Sequence, residues 1–264
     1  MKAERHSPTP VRAEDCERID SDVSYRLISK PNDDPGNPLF QEYDNTRVKW
    51  VQDIYKWLPP FHTDIDGLDV DESTRIVGVT RGLDDGEEAF LGAMRLTPLE
   101  DLSDSLSWSM VEMIFEERAD EVREALLSID GFENALRQGK VYDITRAFPN
   151  LEYSEEAEET LLRLFGASKG YCDLAQGEHA LPSDYYWIFT LNNTLKMFLA
   201  KHDIPFMEVA EDDADPNEWT RAKIMVVDMF NSYQHVSEST PENPSHRIIV
   251  DAANQAREQL ETAP

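Results

Sequence analysis

Apolar residues recur at three- and four-residue steps between Leu39 and Leu58. Phe40, Tyr43, Trp50, Val51, Ile54 and Trp57 form one stripe, with Arg47 set among them. That period is the one an amphipathic α-helix buries on a single face, and Pro59-Pro60 ends it by removing amide donors. The pattern then changes. Arg75 to Arg81 and Ala89 to Leu96 are short apolar runs flanking Asp84-Asp85-Gly86, which reads as a β-hairpin. Helical spacing returns over about 107–118 and 120–137, and a strand pattern follows over 140–148. Next come a helix over 154–169, an apolar strand over 185–191, a helix over 193–202, and strands near 206–210 and 223–230. A last helix is predicted over 246–260, where Ile248, Ile249, Ala252, Ala253, Ala256 and Leu260 share a face.

A hairpin followed by alternating strands and helices predicts an α/β (α+β) fold: a mixed, mostly antiparallel sheet with helices on both faces. The element order resembles that of GNAT-type acyltransferases. A doubly wound nucleotide-binding sheet fits less well, because neither GxGxxG nor a P-loop follows any strand. Residues 1–37, with Pro8, Pro10, Pro31 and Pro35 among alternating charges, read as a flexible tail, although Val23 to Ile28 has a strand pattern of its own. Residues 237–245 form a second polar, proline-containing break. The expected organisation is therefore a tail (1–37), one domain (38–236), and a linker with a terminal helix (237–264).

Composition narrows the functional classes. Of the 264 residues 40% are hydrophobic, enough for a real core. No run approaches the roughly 20 apolar residues that span a bilayer, and the polar N-terminus lacks a secretory apolar region, so a cytoplasmic location is expected. The balance of 53 acidic to 25 basic residues, net −28, offers no basic stripe for nucleic acid and disfavours anionic membranes. Cys16 and Cys172 make neither a disulfide framework nor a CxxC site, and Cys172 reads as a small core residue.

Three patches carry candidate chemistry. Arg47 lies on the apolar stripe near Trp50 and Trp57; its plainer role is to lay its stem on aromatic surface. Asp64, Asp66, Asp69 and Asp71 cluster in a loop. The Gly67 position and the missing distal Glu do not suit an EF-hand, so no metal is expected there. A solvated acidic loop and a site for a cationic substrate both remain open. Arg95, Asp143 and Arg146 fall within strand patterns, where a charge needs a partner. They read equally as a structural ion-pair network or as a site.

In this order the patches resemble the acyl-homoserine-lactone (autoinducer) synthases. That family has an Arg, an aromatic four residues on and a Trp ten on; here these are Arg47, Val51 and Trp57. Its Glu-x-Asp-x-x-Asp loop is similar to Asp64-x-Asp66-x-x-Asp69. Its Gly-x-x-Arg-Leu-x-Pro looks like Gly92 to Pro98, which contains Arg95. Its Glu-x-Ser-Arg-Phe is similar to Asp143-Ile-Thr145-Arg146-Ala-Phe148, with one residue inserted. The likeness runs over about residues 39–230.

The resemblance implies no permanently bound cofactor, with S-adenosylmethionine and an acyl thioester as substrates and an acyl-carrier protein or CoA as donor. It implies that Arg47, Trp57, Asp66 and Asp69 bind substrate, and that Arg95, Arg146 and Asp143 are catalytic, Asp143 as base. An ordinary Asp has a pKa of about 3.9, so that role requires a buried carboxyl. Tyr186, Ile188, Phe189 and Leu191 line an acyl cleft in this reading and are plain core in another. Pro149 to Glu156, glycine-free and acidic, is a poor cradle for a pyrophosphate and favours the carrier protein, whose acidic surface would need cations such as Lys196, Lys201, Arg221 and Lys223. The departures at Val51, Asp64, Asp143 and Thr145 leave two other functions open. One is N-acylation of another amino acid or small amine without lactone formation; the other is an acidic binding protein without turnover.

Overall fold

The computed structural model describes residues 22–30, 34, 36–54, 69, 71–83, 86–104, 106–176, 186–191, 193–212 and 222–262. Seven strands form one sheet in the order β1-β2-β3-β4-β5-β7-β6. They are β1 (Val23–Leu27), β2 (Arg75–Gly82), β3 (Glu88–Leu99), β4 (Val141–Pro149), β5 (Tyr186–Leu191), β6 (Met207–Glu211) and β7 (Lys223–Asp228). Every neighbouring pair is antiparallel except β4 and β5. The helices are α1 (Pro38–Ile54), α2 (Leu106–Phe115), α3 (Ala119–Leu127), α4 (Phe132–Arg137), α5 (Ala157–Ala175), α6 (Asn193–Lys201), α7 (Met229–Glu238) and α8 (Pro244–Glu261). This is the mixed, mostly antiparallel sheet with helices on both faces that the element order predicts. Among the described residues, no helix is long and apolar enough to cross a membrane.

Alternation along the strands sorts the core into layers. Tyr25, Val77, Val79, Leu96, Tyr142, Ile144 and Trp187 face α5 and α8, forming the largest apolar cluster. On the opposite face, Phe40 and Tyr43 of α1 pack with Ile76, Phe90, Ala93 and Phe148 at one end. At the other end α2, α3 and α4 pack on Leu99, Val141, Tyr186, Ile188 and Val226. Between these two apolar patches the same face carries Thr74, Arg95, Thr97, Asp143 and Thr145, so a polar seam crosses the middle of the sheet.

Three differences from the expected elements have local causes. β1 lies in the stretch read as tail, yet it is the edge strand of the sheet, with Tyr25 1% exposed and its amide donating to Gln259 Oε1 of α8 at 2.8 Å. The helix expected over 120–137 breaks after Leu127, because Gly131 takes φ 78 and the Tyr186 hydroxyl, donating to the Asp130 carbonyl at 2.7 Å, leaves no room for a Cβ there. The strand expected to reach 230 ends at Asp228, whose carboxylate caps α7 by accepting from the Asn231 amide at 3.1 Å. Met229, Tyr233 and Val236 then recur at helical spacing and are buried. Cys172 is buried and part of the core.

α5 and α8 approach closely because α5 presents glycine at two positions one turn apart. A Cβ on Gly166 would lie 2.2 Å from the Ile249 carbonyl oxygen, and one on Gly170 would lie 2.4 Å from that of Ala253. Neither backbone can yield without moving the helix. Gly166→Ala is therefore expected to destabilise the protein by about 1–3 kcal/mol despite the better helix propensity of alanine. Urea unfolding of the two proteins measures it; an unchanged midpoint would show that α8 sits elsewhere.

Candidate active site

The polar seam is organised around Asp69. Arg95 Nη1 on β3 donates to Asp69 Oδ1 at 2.8 Å, and both side chains are 0% exposed. Arg146 Nη1 on β4 lies 3.1 Å from Asp69 Oδ2, with Arg146 9% exposed. The Tyr43 hydroxyl of α1 donates to Asp69 Oδ1 at 3.0 Å. Burial, reinforced by the Asp69 charge, holds that phenol far above its ordinary pKa, so it remains a donor. Arg95 is oriented further by its Nε donating to Thr145 Oγ1 at 2.8 Å.

A bulge in β4 makes this geometry possible. Ala93 pairs with Phe148 and Arg95 with Thr145, so Arg146 and Ala147 together stand opposite Met94. Arg146 adopts φ 53, a left-handed conformation uncommon outside glycine. Successive strand residues normally point to opposite faces. Here Thr145 reaches Arg95 and Arg146 reaches Asp69, so both serve the same face. Past the bulge, Phe148 stacks obliquely on Tyr43 with centroids 5.6 Å apart. The Arg47 guanidinium lies 5.0 Å from the Trp50 ring centroid and 5.8 Å from that of Phe148, a cation–π placement.

The segment after Asp69 is tied to the sheet. The buried Lys30 ammonium donates to the Asp71 carbonyl. Thr74 Oγ1 and Thr97 Oγ1 are hydrogen-bonded at 2.9 Å. Hydrogen bonds from Ser73 hold the Asp71 carboxyl below its usual range.

Beside this cluster the sheet opens. β4 and β5 pair only from Val141–Tyr186 to Asp143–Ile188. Beyond Asp143, β4 continues along β3 alone, and beyond Ile188, β5 continues along β7 alone. The result is a wedge between two parallel strands, with Arg146 on its β4 side. A hollow of about 270 Å³ adjoins α1 and the turn after β4, lined by Thr46, Lys49, Trp50, Asp53, Asn150, Leu151 and Glu152.

That turn carries carboxylates that are paired with cations. Asn150 accepts from the Glu152 amide at 3.1 Å and donates to the Phe90 carbonyl at 2.9 Å. Glu152 pairs with Lys49 at 2.5 Å, Glu156 with Arg81 at 2.6 Å and Glu159 with Arg163 at 2.7 Å.

Of the residues singled out in the sequence, Asp69, Arg95 and Arg146 come together in this seam; Arg47 lies against the Trp50 and Phe148 rings, and Asp143 lies in the same strand as Arg146, 0% exposed. Trp57, Asp64 and Asp66 lie outside the described residues. Tyr186 and Ile188 are buried against α2–α4, and the side chains of Phe189 and Leu191 are outside the described set. Of the expected docking cations, Lys223 is corrected: it is 2% exposed and 2.7 Å from Glu211, so it cannot meet a partner. Lys196 pairs with Glu208 at 2.5 Å and Lys201 with Glu158, while Arg221 is outside the described residues. Sequence reading missed Tyr43 and Thr145 as members of the cluster. Tyr43, one turn before Arg47 on the same stripe, was the available signal.

A GNAT-like mixed sheet splayed between two parallel strands, with an arginine–aspartate seam at the splay, is the class these features define. The fold is that of acyl-homoserine lactone synthases. BjaI, a CoA-dependent acyl-homoserine lactone synthase solved with S-adenosylmethionine and isopentyl-CoA, superposes with a TM-score of 0.51 at 11% identity, over 92% of this chain and 99% of BjaI. BjaI with MTA gives 0.50 at 11% identity over the same shares. The AHL synthase LasI gives 0.49 at 11% identity, over 78% of this chain and 90% of LasI. The sequence itself matches no family profile and no curated protein sequence.

The seam makes two stability predictions. Asp69→Asn removes the shared carboxylate charge from buried guanidiniums and is expected to cost about 3–5 kcal/mol, whereas Tyr43→Phe should cost only about 1 kcal/mol. At the bulge, Arg146→Gly should be more stable than Arg146→Ala by about 1 kcal/mol, because only glycine accepts the positive φ freely. Denaturant titrations of the four variants measure both; equal stability of the two Arg146 variants would contradict the left-handed bulge.

Proposed function

We propose that this chain is an acyltransferase that moves an acyl group from a thioester to the α-amine of S-adenosylmethionine and releases an N-acyl-homoserine lactone. The observation that carries the reading is the meeting of Arg95 and Arg146, from adjacent strands, on the loop carboxylate Asp69 at the edge of the β4–β5 wedge. An extended thioester arm fits between two strands that have parted, because each offers backbone donors and acceptors no longer used by the other. The likeness of fold to BjaI, solved with these two kinds of substrate, supports the same reading.

In this mechanism the amine nitrogen attacks the thioester carbonyl carbon, the C–S bond breaks and the thiol leaves. The carboxylate oxygen of the acylated product then attacks its own γ-carbon. The C–S bond to the sulfonium breaks, the lactone closes and neutral methylthioadenosine departs. Arg146 and Arg47, the less enclosed guanidiniums, bind the acceptor carboxylate until it reacts, a task suited to their planar forks. Asp69 and Arg95, both fully buried, are positioning residues that hold Arg146 and the acidic loop. Trp57 and Asp66 complete the acceptor site. Asp143 accepts the amine proton through a water, since its carboxyl does not reach the surface.

The donor is an acyl thioester on a carrier protein or on CoA. The carboxylate-filled turn before α5 speaks for the carrier protein, whose arm brings no nucleotide pyrophosphate. The pairing of Lys196 and Lys201 with carboxylates leaves a carrier few cations to meet.

Incubation with S-adenosylmethionine and a series of acyl thioesters, with mass spectrometry of the products, tests the proposal. Methylthioadenosine and an acyl-homoserine lactone are expected in equal amounts. Arg146→Ala should lower kcat/KM by about 100-fold, the size of a lost charge-assisted pair. An acylated amino acid without methylthioadenosine would replace this reading with simple N-acylation, and no turnover with any thioester would end it.

A further inference from the structure

A second cluster forms where α6, α7 and α8 meet, on elements that carry none of the seam residues. Asp203 follows α6, His235 lies in the last turn of α7 and His246 in the first turn of α8. One ligand atom from each lies within 4.8 Å of the others. His235 Nε2 is 2.9 Å from Asp203 Oδ2, and the His235 and His246 rings stand edge to face with centroids 5.7 Å apart.

His246 is fully buried and its ring is oriented by the backbone. Its Nε2 lies 2.7 Å from the His202 carbonyl oxygen. A carbonyl only accepts, so Nε2 carries the proton and the lone pair of the neutral ring falls on Nδ1. An imidazole N–H held by a carbonyl is the arrangement that orients metal-ligating histidines. Ser239 Oγ lies 2.7 Å from Nδ1 and also 2.6 Å from the His235 carbonyl. The Ser239 oxygen therefore fills the lone-pair side of Nδ1, and an ion bound there requires the serine side chain to swing to another staggered position. Asp203 sits at φ 53, just after α6, where the Ile204 amide closes the helix by donating to the Leu199 carbonyl at 2.9 Å. Glycine would hold that conformation more easily; aspartate there puts a carboxylate beside His235.

We propose that Asp203, His235 and His246 form a binding site for one zinc-class divalent cation. Two imidazoles and one carboxylate are the borderline donor set that suits Zn²⁺ and Co²⁺, with a water completing the tetrahedron. The Asp203 and His235 side chains, 70% and 43% exposed, give the ion its entry path. The bound cation ties together three helices, and it takes no part in the acyl transfer proposed above.

The test uses full-length protein stripped with chelator at about pH 7.5, where free histidines are neutral. Co²⁺ titration is read by visible absorption, and thermal unfolding is followed with and without Zn²⁺. One equivalent of Co²⁺ with tetrahedral d–d bands and a Zn²⁺-dependent rise in Tm are expected. Asp203→Asn and His235→Gln, both exposed positions, should each weaken binding by at least about 100-fold while the metal-free Tm stays near that of the parent. Replacing His6, His62 and His179 together with Gln should leave binding intact. The site is refuted if the parent shows neither bands nor a Tm rise, if both single variants bind as tightly as the parent, or if binding vanishes when His6, His62 and His179 are replaced.

Discussion

Burying the Asp69 carboxylate between the guanidiniums of Arg95 and Arg146 constrains everything around it. A lone charge at that depth costs several kcal/mol, so the three groups are stable there only together. Satisfying them draws in pieces from four parts of the chain: the loop before β2, strand β3, strand β4 and, through Tyr43, helix α1. The β4 bulge belongs to the same solution. Without an extra residue opposite Met94, Thr145 and Arg146 would face opposite sides of the sheet and only one could serve the seam.

The position of the seam follows from how the sheet is covered. One face is filled continuously by α5 and α8, whose close contact depends on Gly166 and Gly170. The other is covered at its two ends by separate units, α1 and the α2–α4 group, and the polar seam runs between them. The strands part there as well, since β4 and β5 share only three paired positions. A helix-covered sheet thus acquires a polar seam without a break in its main core. Away from the seam, several carboxylates are engaged by cations, as at Glu152, Glu156 and Glu208.

Much of this was visible in residue order. The stripe from Phe40 to Ile54 specified α1 and placed Arg47 on its inner side, and the alternation in Arg75–Arg81 and Ala89–Leu96 specified the central hairpin. The motifs singled out Asp69, Arg95 and Arg146, which meet in the folded chain. Other features were hidden for identifiable reasons. The helix after Asp228 was masked by the apolar run preceding it, although Asp228 is a good cap. Tyr43 read as one more apolar position because nothing local reveals that its hydroxyl meets a carboxylate 26 residues away. Lys223 looked like a surface cation because lysine usually is one; pairing with Glu211 on the neighbouring strand permits its burial.

Local periodicity, turn chemistry and capping act within a few residues, so the chain's own order determined the element types, the mixed sheet and the identity of the charged groups that had to find partners. Which carboxylate two strand arginines share is a different kind of question. So is whether a strand bulges at Arg146, or whether Asp203, His235 and His246 come within reach of one another. Those outcomes depend on distances between segments far apart in the chain, where desolvation makes charge pairing strong and backbone geometry sets the direction of each side chain. Only the folded arrangement supplies those distances, and so only the tertiary structure could decide them.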